Sequence, residues 1–258
     1  MKLEFNLSFH HHIIIFCLGR QDVVACEMTK WFNTNYHYIV PEYEDGMALT
    51  LLENRPLDCY REVKNELGIS GKPVLIGPFS FAKFSKGSFK SVPDFVEKLM
   101  PLYIQLLQQL ENEGVNWVQM DEPFLVTSLI SQELDLLFSI YNRLTEKVPK
   151  LKILLQTYFG SIDCYQELIA LPVHGIGLDF VQGFDENIQQ VIKHKFSTEK
   201  ILAVGLIDGR NIWRANLKHC LDILNKIFSV VPKERVWIQP ACSLFLSPVS
   251  RIGFKTFY

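Results

Sequence analysis

From residue 73 onward the chain alternates short apolar runs with stretches of helical period, and no other feature limits its fold so strongly. The runs cover residues 73–79, 117–121, 152–159, 175–181, 201–207 and 235–242. Between them, Phe95, Leu99, Leu102, Leu106 and Leu110 fall on one helical face, with Pro93 and Asp94 in front and Gly114 behind. Leu134, Leu137, Phe138, Tyr141 and Leu144 form a second stripe after Ser131, and Trp213, Leu217, Leu221, Leu224 and Phe228 a third. The runs themselves hardly alternate apolar with polar residues, as expected of parallel strands buried on both faces. Strand starts 23 to 44 residues apart then imply repeated strand–helix units. An α/β fold follows. A barrel and an open doubly wound sheet both satisfy the pattern, and neither GxGxxG nor GxxxxGK[ST] is present to favour a nucleotide-binding sheet. A length of 258 residues suits one β/α barrel, and no linker interrupts it.

Composition narrows the function classes. A net charge of −2 with both signs mixed along the chain leaves no basic footprint for nucleic acid. The six cysteines are scattered with no CxxC, which points to reduced thiols in the cytoplasm rather than a disulfide framework. The apolar stretch 13–18 is far short of the ~20 residues of a membrane span, and no small-residue cleavage site follows it. No membrane partner is expected.

In a β/α barrel the active face lies at the carboxyl ends of the strands. Those positions are polar here: Asp121-Glu122-Pro123, Thr157-Tyr158, Asp179, Asp208-Gly209-Arg210-Asn211 and Cys242-Ser243. Each has a plainer alternative. Asp121-Glu122-Pro123 could be a turn with a charge at a helix start, Asn211 a cap before the third stripe, and Cys242 an inert buried thiol. No HxC, HxH, HExxH or CxxC supplies zinc-ligand spacing, and no GxSxG marks a nucleophile. No native zinc site is expected. The densest polar–aromatic segment is residues 27–38, where Lys30 stands beside Trp31 and Phe32. Lysine with aromatic neighbours suits an anionic ligand carrying a flat ring. An aromatic loop packed on the barrel, with Lys30 reaching to water, explains the same residues.

Seven stretches, in order, resemble the cobalamin-independent methionine synthase family: Met28-Thr29-Lys30-Trp31-Phe32-Asn33-Thr34-Asn35-Tyr36-His37-Tyr38, Lys72-Pro73-Val74-Leu75-Ile76-Gly77-Pro78, Trp117-Val118-Gln119-Met120-Asp121-Glu122-Pro123, Thr157-Tyr158-Phe159, Leu171-Pro172-Val173-His174-Gly175, Gly209-Arg210-Asn211-Ile212-Trp213-Arg214-Ala215 and Cys242-Ser243-Leu244. The resemblance runs over residues 19–249 and implies a TIM-like (β/α)8 barrel of the amino-terminal type, with residues 250–258 as a tail. The family transfers a methyl group from 5-methyltetrahydropteroyltriglutamate to homocysteine to make methionine. It uses two barrels. The carboxyl-terminal one holds a zinc ion through a His-x-Cys pair, a Glu and a late Cys; the amino-terminal one helps hold the polyglutamate tail of the folate.

Lys30 matches the family's substrate-contacting lysine. Trp31, Asn33, Asp121, Glu122 and Asp208 are the expected lining of its pocket. Cys242 matches the late cysteine, but Gln156-Thr157-Tyr158-Phe159 stands where the His-x-Cys pair would be. The resemblance therefore implies an amino-terminal barrel without the zinc-bearing catalytic barrel, inactive alone, with no cofactor of its own. A non-catalytic folate-binding or partner-docking module that complements a separate catalytic barrel is the alternative, and a uroporphyrinogen decarboxylase-type barrel a more distant one. Taking the segment around Met28–Phe32 as the second barrel strand leaves the first strand missing and two sheet edges open. Residues 3–9 alternate apolar with polar, so the atypical segment 1–18 is expected to supply a substitute strand.

Overall fold

A computed structural model of the chain describes residues 25–244 together with the backbone of a short strand, β1 (Glu4–Phe5). Its contacts define two compact units: Met1–Phe124 with Leu129–Leu155 and Leu171–Val173, and Leu125–Ser128 with Gln156–Ala170 and His174–Tyr258.

In unit 1 two strands, β6 (Val74–Ile76) and β8 (Trp117–Asp121), pair in parallel with Ile76 opposite Asp121. The long helix α3 (Val92–Asn112) forms where the first apolar stripe predicts it. The Ser91 hydroxyl accepts from the Asp94 N–H at 3.3 Å to cap its start, and Pro93 sits in its first turn, where a missing N–H costs nothing. Phe95, Leu99, Leu106 and Leu110 are buried, and each contributes about 1.5–3 kcal/mol by leaving water. Helix α1 (Arg55–Leu67) begins at Asn54, whose side chain accepts from Leu57 N–H and donates to Leu106 O at 3.0 Å, tying α1 to α3. The second stripe becomes α4 (Ser131–Lys147), with Leu137, Ile140, Tyr141 and Leu144 buried. The run from residue 73 gives strand only over β6, because Pro78 starts a helix, α2 (Pro78–Phe84).

The expected second barrel strand is instead one arm of a hairpin. β2 (Met28–Lys30) pairs antiparallel with β3 (His37–Ile39), Lys30 opposite His37. Thr34 closes the loop: its N–H and hydroxyl both donate to Trp31 O, at 3.1 and 2.6 Å, while Phe32 takes a left-handed φ of 52°. The short-range turn bonds outweigh the strand propensity of the aromatic residues. Two short parallel ladders complete the unit: β4 (Glu42–Tyr43) with β7 (Lys86–Gly87), and β1 with β5 (Thr50–Leu51). A Cβ at Gly87 would fall 1.8 Å from Tyr43 O, so the β4–β7 approach requires glycine there. Glu4 and Phe5, the described residues of the expected substitute strand, thus pair with β5 rather than with β2; the rest of residues 1–18 lies outside the described residues.

In unit 2, β10 (Gly175–Asp179), β11 (Ile201–Ile207) and β12 (Val236–Pro240) pair in parallel in chain order. Ile176, Leu178, Leu202, Ala203 and Val204 have no exposure, which explains why the sequences of β10 and β11 hardly alternate. Strand β9 (Lys152–Gln156) hands the chain from unit 1 to unit 2, where Thr157 donates to Gly177 O at 3.0 Å. Helices α5 (Tyr165–Ala170), α6 (Phe184–His194) and α7 (Leu217–Phe228) follow β9, β10 and β11. Trp213 lies outside the third stripe's helix, and Asn216 rather than Asn211 caps it, accepting from His219 N–H at 3.1 Å. Parallel strands alternating with helices confirm the α/β class, and no closed ring of strands forms among the described residues.

Candidate functional site

Lys30 ends β2 with its side chain exposed and with no carboxylate partner among the described residues. Acidic neighbours in its hairpin region are otherwise occupied: Glu27 pairs with Lys86 at 2.5 Å, and Glu42 accepts from the Glu27 N–H at 2.9 Å. Beside Lys30 the loop is held by rings. Trp31 packs on Phe84 at 4.7 Å and meets Tyr38 edge-on at 5.4 Å, and Phe84 contacts Phe124 at 5.0 Å. Trp31 therefore fixes the hairpin on α2, while Asn33 projects exposed from the loop. The packed aromatic loop is what the structure shows: rings anchor the segment, and the lysine is open to solvent.

Asp121, which ends β8, and Glu122, which follows it, differ sharply. Glu122 is fully buried beneath the start of α2, where its carboxylate accepts from Phe79 N–H at 3.2 Å, Ser80 N–H at 2.7 Å and Tyr141 hydroxyl at 2.9 Å. A Cβ on Gly77 would lie 2.1 Å from Glu122 Oε1, so the glycine makes room for it. Burial pushes this carboxyl up to about 7 against the hydrogen bonds from Ser80, Tyr141 and Phe79, which lower it. Glu122 is thus a buried anchor of α2, with its carboxylate oxygens bonded to backbone N–H groups and to Tyr141. Asp121 accepts from Gln119 Nε2 at 2.8 Å, and Gln119 accepts from Lys72 Nζ at 2.6 Å. Partial burial lowers the Lys72 ammonium to about 8, with the Asp121 charge opposing the shift. Sequence reasoning gave Lys72 no role, although it opens one of the stretches that resemble the family.

In unit 2 the strand ends converge, but each polar group is committed locally. Asp179 Oδ1 accepts from Val181 and Gln182 N–H at 2.7 and 2.8 Å, and Oδ2 from Phe159 N–H at 2.9 Å. Asn187, also fully buried, donates to Asp179 O at 2.8 Å and accepts from Ile162 N–H at 3.2 Å. It was missed in the sequence, although a polar residue on the buried stripe of a helix is a detectable signal. Asp208 accepts from Arg210 N–H at 2.8 Å and from Asn211 Nδ2, and Asn211 accepts from Trp213 N–H at 2.9 Å. Asp208 and Asn211 line a cleft of about 520 Å³ that also takes in Phe184, Trp213, Arg214 and His219.

Zinc, which the family resemblance places in the other barrel, does not fit these residues. Cys242 is buried, and desolvation together with the charges of Asp179 and Asp208 pushes its thiol up to about 12. Both carboxylates spend oxygen atoms on nearby N–H groups, and no cluster of three ligating side chains occurs among the described residues. A thiol held protonated is a poor nucleophile and ligand. On alkylation at pH 8, exposed Cys59 should react at least about tenfold faster than Cys242. Peptide mass spectrometry measures the ratio, and equal rates would contradict the burial argument.

A family model described as the cobalamin-independent synthase amino-terminal domain matches residues 10–232. The chain belongs to the cobalamin-independent methionine synthase family. Within that family it is 48% identical over 234 residues to the 5-methyltetrahydropteroyltriglutamate–homocysteine methyltransferase of Bacillus subtilis, covering 90% of this chain and 31% of that protein. The protein of the same name from Listeria welshimeri is 49% identical over 249 residues, covering 96% and 32%. The chain thus spans about a third of the length of these methionine synthases. A B12-independent methionine synthase from Shewanella sp., in complex with selenomethionine, superposes with a TM-score of 0.67 at 16% identity over 89% of this chain and 70% of that one. A methyltransferase from Methanosarcina mazei gives 0.63 at 13% identity, over 92% and 74%. At such identities the structures establish fold alone, and the fold is that of an incomplete TIM-like barrel. No helix among the described residues is long and apolar enough to cross a membrane.

Proposed function

We propose that this chain is the folate-holding amino-terminal barrel of a methyl transfer from 5-methyltetrahydropteroyltriglutamate to homocysteine, with zinc and thiolate chemistry supplied by a separate carboxyl-terminal barrel. The observation that carries the reading is Lys30, an exposed ammonium beside a fixed aromatic cluster and without a carboxylate partner among the described residues. Such a group suits the carboxylates of a polyglutamate tail. The names of the relatives support the substrate, and the third of their length spanned here leaves room for a catalytic part elsewhere. The chain itself needs no cofactor for this task and turns over nothing alone, because its buried cysteine and aspartates are committed to structure. Cys59, Cys164, Cys220 and Cys242 form no disulfide, in keeping with a cytoplasmic setting.

Calorimetric titration with methyltetrahydropteroyltriglutamate tests the proposal. Saturable binding is expected, weakening as salt rises. Lys30→Ala should lose up to about fivefold in affinity, the worth of one exposed charge contact, and Lys30→Arg should keep most of it. A folded chain that binds no folate, or a Lys30→Ala variant that binds equally well, would overturn the assignment of this site.

A further inference from the structure

The register of the β2–β3 hairpin places an imidazole directly beside Lys30. Trp31 N–H donates to Tyr36 O at 2.7 Å and Val40 N–H to Glu27 O at 2.8 Å. Bonded and unbonded pairs alternate along an antiparallel ladder, so residues 27 and 40, 29 and 38, and 31 and 36 are the bonded pairs. Lys30 and His37, opposite each other in register, are then a non-hydrogen-bonded pair. In such a pair the Cα atoms come within about 4.5 Å and the side chains stand closest.

The two sides of the hairpin differ. Successive side chains point to opposite sides, and the side bearing Trp31 and Tyr38 is packed on Phe84 of α2, at 4.7 and 5.3 Å. Lys30 and His37 stand on the other side, and both are exposed. Neither has a carboxylate partner among the described residues. An ammonium and a protonated imidazole held side by side repel each other, and an anion lying between them removes that repulsion.

We propose that His37 is a second contact for the carboxylates bound at Lys30, so that the hairpin presents two donors to the polyglutamate tail. His37 has this role only if Lys30 holds the folate, so it rests on the function proposed above. One exposed charge contact is weak, whereas two held in register by one ladder meet the same ligand already ordered. Histidine also brings what lysine lacks, because imidazole is the side chain that gains its charge between pH 8 and pH 5. The ionisable groups around it are otherwise placed. Tyr36 and Tyr38 point to the packed side, Glu27 is paired with Lys86, Glu42 accepts from the Glu27 N–H, and Lys83 of α2 is paired with Glu133.

Calorimetric titration of the full chain with methyltetrahydropteroyltriglutamate at pH 6 and pH 8 tests the contact in wild type, His37→Gln and His37→Lys. Both variants change an exposed residue and should keep the wild-type circular dichroism spectrum. Relative to His37→Gln, the wild type should gain up to about fivefold in affinity between pH 8 and pH 6. Buffers of different ionisation enthalpy should show it taking up more protons on binding near pH 7 than His37→Gln does. His37→Lys should bind at pH 8 as tightly as the wild type does at pH 6, and lose the extra pH dependence. Equal pH ratios and equal proton uptake in wild type and His37→Gln would overturn the second contact; a Lys30→Ala variant that still bound more weakly would then leave the reading of Lys30 standing. A folded chain that bound no folate at either pH would overturn both.

Discussion

Replacing Glu122 with alanine should destabilise the protein by about 3–5 kcal/mol, the range for removing one partner from a buried charged network. The substitution leaves the Phe79 and Ser80 N–H groups and the Tyr141 hydroxyl without their acceptor in a site closed to water. Each orphaned donor costs about 1–3 kcal/mol, and the loss of the side chain adds a cavity. Urea denaturation measures the change. A loss below about 1 kcal/mol would mean that α2 does not depend on this anchor.

The same residue makes stability depend on pH in a definite direction. The Glu122 carboxyl titrates near 7 in the folded chain, because burial disfavours its charge, and in the usual carboxylate range when unfolded. A group raised by folding contributes stability that is present at low pH and is lost as pH rises through its folded value. Between pH 5 and pH 8 the wild type should therefore lose on the order of 3 kcal/mol relative to Glu122→Gln, which cannot ionise. Glutamine keeps an acceptor for two of the donors but turns its amide toward the third, so the variant starts less stable and then changes less with pH. Parallel pH profiles would refute the assignment.

How much of this was legible beforehand depended on whether neighbours along the chain or neighbours in space set the structure. All six apolar runs contain strands, and Phe95 to Leu110 lie on α3 as the period required, since burial on a repeating face is written into local sequence. The hairpin at Lys30 was misread as a barrel strand because its aromatics favour either structure, and the bonds to Trp31 O from Thr34 decide between them. Asp121 and Glu122 are adjacent in sequence yet differ in fate: the second lies under a helix that starts 44 residues earlier, a pairing no local pattern encodes. Asp208 lies just past β11, as its place after an apolar run indicated, and lines a cleft built from residues 180–223 that does not take in Lys30. Leu217 and Leu221 looked like core in the sequence, since periodicity shows an apolar flank without showing whether anything covers it.

Asp179 is where the distinction between a reactive carboxylate and an architectural one can be measured. It stands at the end of β10, the position from which barrel enzymes act. Yet its two oxygens take three backbone N–H groups from two separate loops, those of Phe159 and of Val181 and Gln182. Phe159 has a φ of 76°, a left-handed conformation that costs a bulky residue roughly 1–3 kcal/mol. The Asp179 bond is one restraint that holds it there; the Arg210 guanidinium, 5.4 Å over its ring, is another. Asp179→Ala should then destabilise the chain by about 2–4 kcal/mol, and in native-state hydrogen exchange the amides of Phe159, Val181 and Gln182 should lose protection together. Asp179→Asn keeps one oxygen for the Val181 and Gln182 pair and opposes the Phe159 N–H with an amide, so it should expose Phe159 first. If the three amides kept their protection in the alanine variant, the carboxylate would be free of structural duty, and its place at the strand end would again count as a site for chemistry.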